Sequence, residues 1–511
     1  MENLFQTQSI TLTALILFSV MMVGIGIYSY RKTKTMDGFL LGGRNIGAWV
    51  SAFAYGTSYF SAVIFIGYAG KHGWDIGIGS LWIGIGNAVL GCMLAWMLLA
   101  KRTRSMTHAL QAKTMPEFFE ARYLSKNMKL FAAIVIFLFL VPYSAAVYKG
   151  LGSMFNTIFP AVSVNYCMLI IAVLTAIYLV LGGYVATAYT DFVQGLIMII
   201  GVFAMIFAVL HTDAVGGLQE GLRRLAAIPD NGDGITGAML THPFGGLNWK
   251  FLCVNILLTS FGTWGLPQMV TKYYAVRDEK SVKQATVIST LFCAVIGCGA
   301  YFIGSLSRLV LNNQLPAGGK DAVIPELLIE ALGGSSVTIV VLAVVMILLL
   351  SASMSTLASV VLTSASAVSV DLLPEISKKI KEKKQVHITR WLCFLFVGLS
   401  FLFATMNFTI IVNIMSFSWG AVSGCFIGAY LWGIYSKRVT TAGAWAGMIA
   451  GLLTVGLPTI IMSITSGFAA AAAKAPEMGV AAMAVSLIVV PLVSRMTKPM
   501  PKEAIETIFK K

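Results

Sequence analysis

The sequence predicts an all-α, polytopic membrane protein of about thirteen transmembrane helices. The first observation is composition: of 511 residues, 58% are hydrophobic and 11% charged, with a mean hydropathy of +0.83. A soluble domain carries roughly 25% charged residues, so this chain lacks the polar surface that a water-soluble fold needs. The second is length. A helix needs about 20 apolar residues to cross a bilayer, and thirteen runs approach or exceed that: 8–30, 46–69, 75–100, 128–149, 162–186, 189–210, 248–271, 284–310, 336–370, 386–406, 408–434, 440–465 and 477–494. The third is charge. With the N-terminus outside, the segments 31–45, 101–129, 272–283, 371–390, 435–439 and 495–511 face the cytoplasm, and they hold 28 of the 36 Lys and Arg residues. Basic residues concentrate on the cytoplasmic side of membrane proteins. The bias therefore predicts a multi-pass plasma-membrane protein, N-terminus extracellular and C-terminus cytoplasmic.

The same placement disposes of nucleic acid as a partner, because the net charge of +15 sits in loops between spans. The first run is too long for the apolar core of a signal peptide and has no clear small-residue cleavage site behind it, so it reads as a retained helix. Cys92, Cys167, Cys253, Cys293, Cys298, Cys393 and Cys425 all lie in apolar runs without a CxxC pair, which argues for packing rather than metal or disulfides. In the long outer segment 211–247, Asp230-Asn231-Gly232-Asp233-Gly234 lacks the downstream carboxylate of a calcium loop and reads as a turn. On the inside, Thr114, Pro116 and Glu117 spell a helix start. Phe118, Phe119 and Tyr123 then predict a short amphipathic helix at the membrane surface. Lys378, Lys379, Lys381, Lys383 and Lys384 form a basic cluster that suits either anionic lipid or simple orientation.

Four features carry chemistry. Irregular backbone at membrane depth is costly unless it lines a cavity. The second run contains 55–61, with Tyr55, Gly56, Thr57, Ser58, Tyr59, Phe60 and Ser61, near its middle. The seventh contains Thr259, Ser260, Gly262, Thr263, Trp264, Gly265 and Pro267 in its second half. Interrupted helices in corresponding positions are how inverted-repeat transporters build a midplane site, although small and hydroxyl residues also serve close helix packing. In the ninth run, Ala352, Ser355 and Ser359 share a helix face. Hydroxyls and freed carbonyls are neutral, hard ligands suited to sodium, whereas ligands for softer metals are missing. Asp191, almost without a loop between the fifth and sixth runs, is either a functional ionisable group or the N-cap of the sixth helix.

These features resemble the sodium/solute symporter family of proline, pantothenate, sialic acid and sodium/glucose transporters, most closely the proline-type bacterial members. Phe39 to Arg44 resembles the motif before the family's second span, and Gly183 to Gln194 its fifth-to-sixth junction. Ala352 to Ser359 resembles its sodium-site helix, and Pro267 to Ala275 its seventh-span ending. The resemblance implies a leucine-transporter-like core of two inverted five-helix repeats. The first is 46–210 and the second 248–434, preceded by 1–45, joined by the outer loop 211–247 and followed by two helices and a tail in 435–511.

It further implies a sodium site from the carbonyls of Thr57, Phe60 and Ala352 and the hydroxyls of Ser355 and Thr356. Asp191 and Ser359 become candidates for a sodium exit or second site. A serine expected in a two-sodium member is Ala358 here, so one sodium per solute is expected. Solute-binding candidates are Ser58, Tyr59, Ser61, Tyr143, Thr259, Ser260, Thr263 and Trp264. Where proline-type members carry Trp and Tyr on the seventh span, this chain has Thr259 and Thr263; Tyr143 matches the proline-type pattern, and Tyr59 replaces an acidic residue.

The implied function is sodium-coupled import of a small organic solute, an amino acid such as proline or a related compound. The alternatives are a monocarboxylate, pantothenate, a sugar or sialic acid, or, in another class, an uncoupled channel or facilitator. No repeated filter or charged ring supports a channel, and no catalytic set supports an enzyme. The expected partners are the solute, sodium and membrane lipid, with a monomer sufficient for function.

Overall fold

The computed structural model describes residues 2–30, 35–332, 336–376, 382–406 and 409–509. Within them the backbone is helical wherever it is regular, apart from one isolated parallel bridge, Ile46 to Val276. Among the described residues, ten helices are long and apolar enough to cross a membrane. This is fewer than the thirteen expected, and two of the expected runs are broken into shorter helices. The second run ends its first helix at Ala48–Tyr59, a piece of 12 residues, and the seventh stops at Trp249–Gly265, 17 residues. The fifth forms the first part of Val164–Leu210, a helix bent at Gly183.

Two breaks shape the centre of the bundle. After Tyr59, Phe60 adopts an extended conformation (φ −105°, ψ 115°), and the chain resumes as wide, π-type turns over Val63–Ala69 and then Gly70–Ile76. After Gly265, Leu266 is extended, and Pro267 opens a second helix, Pro267–Tyr274. Proline suits that first position because the missing N–H would be unsatisfied there in any case. A third irregularity bends Val164–Leu210 at Gly183, whose φ of +56° only glycine adopts without strain. Asp191 therefore lies well inside the part of this helix that follows the bend, not at its start, and the N-cap expectation is overturned.

The end of the bundle bearing the basic loops is tightly tied. Gly42, Gly43 and Arg44 are consecutive left-handed residues that turn the chain sharply into the second run, and Arg44 donates to the Ala112 carbonyl at 2.8 Å. Thr114 caps Met115–Tyr123 by accepting from Glu117 N at 3.1 Å, and Glu117 Oε2 accepts from Lys113 N at 2.7 Å. The aromatic face of that helix, expected on lipid, docks in the protein instead. Phe118, Phe119 and Tyr123 are fully buried, Phe118 against Tyr430 and Phe119 against Phe426, while Arg122 donates to the Gly433 carbonyl. Of the basic cluster, Lys378, Lys379 and Lys381 lie outside the described residues. The cysteines are all free; Cys253 is exposed, Cys298 half-buried and the rest buried.

At the opposite end, Asp230 Oδ1 accepts from the amides of Gly232 and Gly234, both at 2.9 Å, which makes the acidic stretch a turn. Arg308, 1% exposed, binds that loop to the bundle. Its guanidinium donates to Trp74 O at 2.8 Å, to Asn313 Oδ1 at 2.6 Å and to Asp233 Oδ2 at 2.6 Å. Substituting Arg308→Met removes all three bonds and leaves their acceptors unpaired. Breaking a buried pair costs about 3–5 kcal/mol. Asp233 is 35% exposed and can rehydrate, so the expected loss is toward the lower end, read as a melting temperature in detergent reduced by several degrees. An unchanged melting temperature would show that this loop is not fastened through Arg308.

Candidate functional site

The break after Tyr59 changes where backbone polar groups go. The amides just past it turn to hydroxyls: Ala62 N donates to Ser353 Oγ at 3.0 Å and Val63 N to Ser61 Oγ at 3.2 Å. The carbonyls just before it face Ser336–Ser366, the helix of the ninth run. Thr356 Oγ1 lies 3.3 Å from Thr57 O, 3.3 Å from Ser58 O and 3.1 Å from Ala352 O. A hydroxyl has one proton, so it satisfies one of these three acceptors at a time. Ser355 Oγ donates to Thr57 Oγ1 at 2.7 Å, which in turn donates to Phe53 O at 2.8 Å.

The result is a fully buried cluster of oxygens with too few protons. Thr57, Phe60, Ala352, Ser355 and Thr356 are all 0% exposed. This is the donor chemistry that a small hard cation needs: neutral oxygens, with no thiolate or imidazole competing for a softer metal. Among the described residues, no group of three or more His, Cys, Asp or Glu side chains could hold a metal. Four of the five residues expected for sodium, Thr57, Ala352, Ser355 and Thr356, are thus brought together, with Phe60 at the adjoining break.

Next to this cluster lies a second, charged one. Asp191 is 0% exposed, and neither carboxylate oxygen has a hydrogen-bond partner. Lys272 Nζ stands 3.6 Å from Asp191 Oδ2 and donates to Ser359 Oγ at 2.9 Å. Ser359 Oγ and Ser58 Oγ share a hydrogen bond of 2.8 Å, so Ser58 joins the two clusters. Gly195 lies one helical turn beyond Asp191, and an added Cβ there would stand 2.2 Å from Phe53, so glycine lets this helix close on Ala48–Tyr59. A narrow cavity lined by Lys113, Thr114, Tyr184, Gln268 and Asp371 reaches Lys272 and Ser359 from the end with the basic loops.

The other solute candidates gather on the far side of the break. Tyr59 donates its hydroxyl to Thr259 O at 2.8 Å and lies in stacking orientation with Phe60 and Trp419, at 4.6 and 6.1 Å between ring centres. Tyr143 meets Trp419 edge-on at 5.9 Å. Thr259 Oγ1 and Ser260 Oγ both reach Asn87 Oδ1, Thr263 Oγ1 reaches Gly91 O, and Trp264 Nε1 reaches Leu90 O. Ser58 and Ser61 belong instead to the break itself. Sequence reasoning missed Trp419, whose buried indole N–H has no partner, and Gln268, whose side-chain amide is buried and unpaired. It also counted Lys272 as an orientation charge. Nothing in an apolar run marks one tryptophan among several; Lys272 had a signal, its place at the edge of the seventh run.

The family model described as the sodium:solute symporter family matches residues 39–451. The chain belongs to the sodium:solute symporter family. It is 27% identical over 459 residues to an osmoregulated proline transporter of Bacillus subtilis, covering 89% of this chain and 88% of that one. It is 28% identical over 440 residues to a sodium/proline symporter of Escherichia coli, covering 85% and 84%. Among solved structures, a Na+-coupled sialic acid symporter in a substrate-bound, outward-open state superimposes with a TM-score of 0.76 at 18% identity, covering 96% of this chain and 98% of that one. At that identity the likeness speaks for the fold, the leucine-transporter-like one expected. As a member of this family the chain is a sodium-coupled solute symporter with multiple membrane spans.

Proposed function

We propose that this symporter imports proline or a closely related amino acid together with one sodium ion. The observation that carries the sodium half is the proton-poor oxygen cluster between the break at Phe60 and the helix face of Ser355 and Thr356. The solute half rests on relatives at similar length that are proline transporters, and on the aromatic plates of Tyr59, Trp419 and Tyr143, which suit a small, largely apolar ring. The core consists of two inverted five-helix repeats, 46–210 and 248–434, with the N-terminus outside and the C-terminus inside.

In this reading sodium satisfies the freed carbonyls of Thr57, Phe60 and Ala352 and the hydroxyls of Ser355 and Thr356. Its binding orders Thr57 to Ser61, the one segment between the ion and the aromatic plates, so that solute and ion bias the same element. That shared element is what coupling requires. One charge moving through 100 mV contributes about 2.3 kcal/mol, and the sodium gradient adds to it. Sodium then leaves along the cavity past Ser359 and Lys272.

Proteoliposomes with an imposed inward sodium gradient test both halves. Labelled proline is expected to accumulate and to stop accumulating when sodium is replaced by choline. Accumulation indifferent to sodium would remove the coupling. Sodium-dependent uptake of another solute, with proline inert, would leave the coupling standing and replace the substrate.

A further inference from the structure

We infer that His72 makes this transporter sensitive to external pH: its imidazole is sealed in neutral form beneath a lid when the outer side closes, so an extracellular proton on it holds that side open. The inference rests on the symport reading above, with its orientation, and goes beyond it in assigning a regulation to one side chain.

His72 belongs to Gly70–Ile76, the helix that follows the break in the second run. It is 0% exposed, and neither ring nitrogen has a hydrogen-bond partner. The ring lies against two aromatic rings, Tyr68 at 5.3 Å and Phe251 at 5.2 Å between ring centres. An imidazolium needs water or an anion, and the closed site offers neither. Asp75 on the same helix accepts from Lys320 at 2.7 Å, and Asp321 pairs with Lys149 at 3.6 Å. Arg308 is bound to Asp233, and the Tyr68 hydroxyl to Ser416 Oγ. Glu279–Ser305 brings the buried phenol of Tyr301, while its charged end lies far off, by Lys101. Trp249–Gly265, which carries Phe251, adds the exposed Lys250 and Cys253, and Val323–Leu332 adds Glu326 and Glu330, half-exposed and exposed. The charges nearest the ring are the ammonium groups of Lys71 and Lys320, which repel a third cation.

What covers His72 is a separate loop. A Cβ on Gly70 would stand 3.2 Å from Lys320 O and 3.3 Å from Ile324 Cγ1, so Gly319–Ala322 sits directly on this helix. Lys320 fastens the loop to Asp75. Asp321 fastens it to Lys149 on Lys126–Ile158 and to Ile411 N, at 3.2 Å, where the eleventh run starts. Partly exposed ion pairs are weak enough to part and re-form within a transport cycle, which suits a lid. Above the ordinary histidine value of about 6.5 the ring is neutral in both states, and closure is unhindered. Below it the open state takes up the proton and closure has to expel it, a penalty that grows toward tenfold per pH unit.

Right-side-out membrane vesicles, buffered inside and acidified outside from about pH 7.5 to about pH 5.5, read the effect. Sodium-driven uptake of labelled proline by the wild type is expected to slow about tenfold, with a midpoint near 6.5, and to recover on return to the starting pH. His72→Gln and His72→Asn are each expected to flatten the profile, whereas His211→Gln and His242→Gln, in the outer loop, keep the wild-type fall. Wild-type uptake that ignores external pH overturns the inference without any variant. So does a midpoint in the carboxylate range, below about 5, or slowing by acid on the cytoplasmic side alone. A His72 variant that slows as the wild type does overturns it as well. Uptake indifferent to sodium, or proline inert, at both pH values overturns the symport reading instead, so the two failures are distinguishable.

Discussion

Replacing Ser355 and Thr356 together by alanine is expected to raise the sodium concentration for half-maximal uptake by about a hundredfold. The two side chains contribute differently to the same cluster. Thr356 Oγ1 is placed among three carbonyl oxygens, those of Thr57, Ser58 and Ala352. Ser355 Oγ gives its proton to Thr57 Oγ1, which leaves its own lone pairs facing the break. A polar contact to a charged partner contributes about 1.5–3 kcal/mol, and a factor of ten corresponds to about 1.4 kcal/mol. Two independent losses would exceed a hundredfold. Both residues touch Thr57, however, and neighbours that share a partner do not add fully.

The single variants are expected to shift the requirement roughly tenfold each by the same conversion, with uptake at saturating sodium largely kept. The backbone carbonyls remain, and Thr57 Oγ1 still has Phe53 O as an acceptor. A sodium titration of uptake at fixed, saturating solute reads the effect. A double variant with unshifted half-saturation would take both hydroxyls out of the ion site.

Much of this site was legible in the sequence because helix breakers and hydroxyls are local signals. Gly262, Gly265 and Pro267 announced a broken helix, and the break falls at Leu266. Ser355 and Ser359 share a face of the hydroxyl-rich ninth run, and the resemblance added Thr356. The meeting of Ser355 with Thr57, across 298 positions, is a tertiary fact that no local pattern contains; the family resemblance supplied it. Where pattern was ambiguous the reading failed. Aromatic residues at helical spacing look the same whether a helix lies on lipid or docks in protein, and Phe118 and Phe119 dock against Tyr430 and Phe426. A lysine at the edge of a span looks like an orientation charge, yet Lys272 is buried on a carboxylate. An Asp between two spans looks like a cap, but the bend at Gly183 comes earlier and leaves Asp191 inside the helix.

The second large effect is expected from Gly73→Ala, which should reduce the rate of uptake at least about tenfold while leaving sodium binding intact. Gly73 lies in Gly70–Ile76, the continuation of the broken second helix away from the basic loops, and faces Gly304 in Glu279–Ser305. A methyl group at position 73 would stand 2.1 Å from Gly304 C, 2.3 Å from Gly304 O and 2.6 Å from Ser305 N. All three are backbone atoms, so no side chain can swing aside. The reciprocal contact is as close, since a Cβ on Gly304 would lie 2.1 Å from Ala69 O.

The two helices touch backbone to backbone at the end where Lys320 bonds Asp75 at 2.7 Å, and the alanine methyl has to part them. Overpacking of this kind costs about 1–3 kcal/mol, and a two-state equilibrium shifts by the matching factor, roughly five- to over a hundredfold. If the contact closes the outer side during transport, the cost falls on that closed state alone. The variant then accumulates with the outer side open, able to take up sodium at the break but slow to carry it inward. Slow uptake with retained sodium-induced thermal stabilisation is the expected pair of results. Uptake at the wild-type rate would show that this approach of Gly73 to Gly304 plays no part in the cycle. Loss of both uptake and stabilisation would place its role in folding.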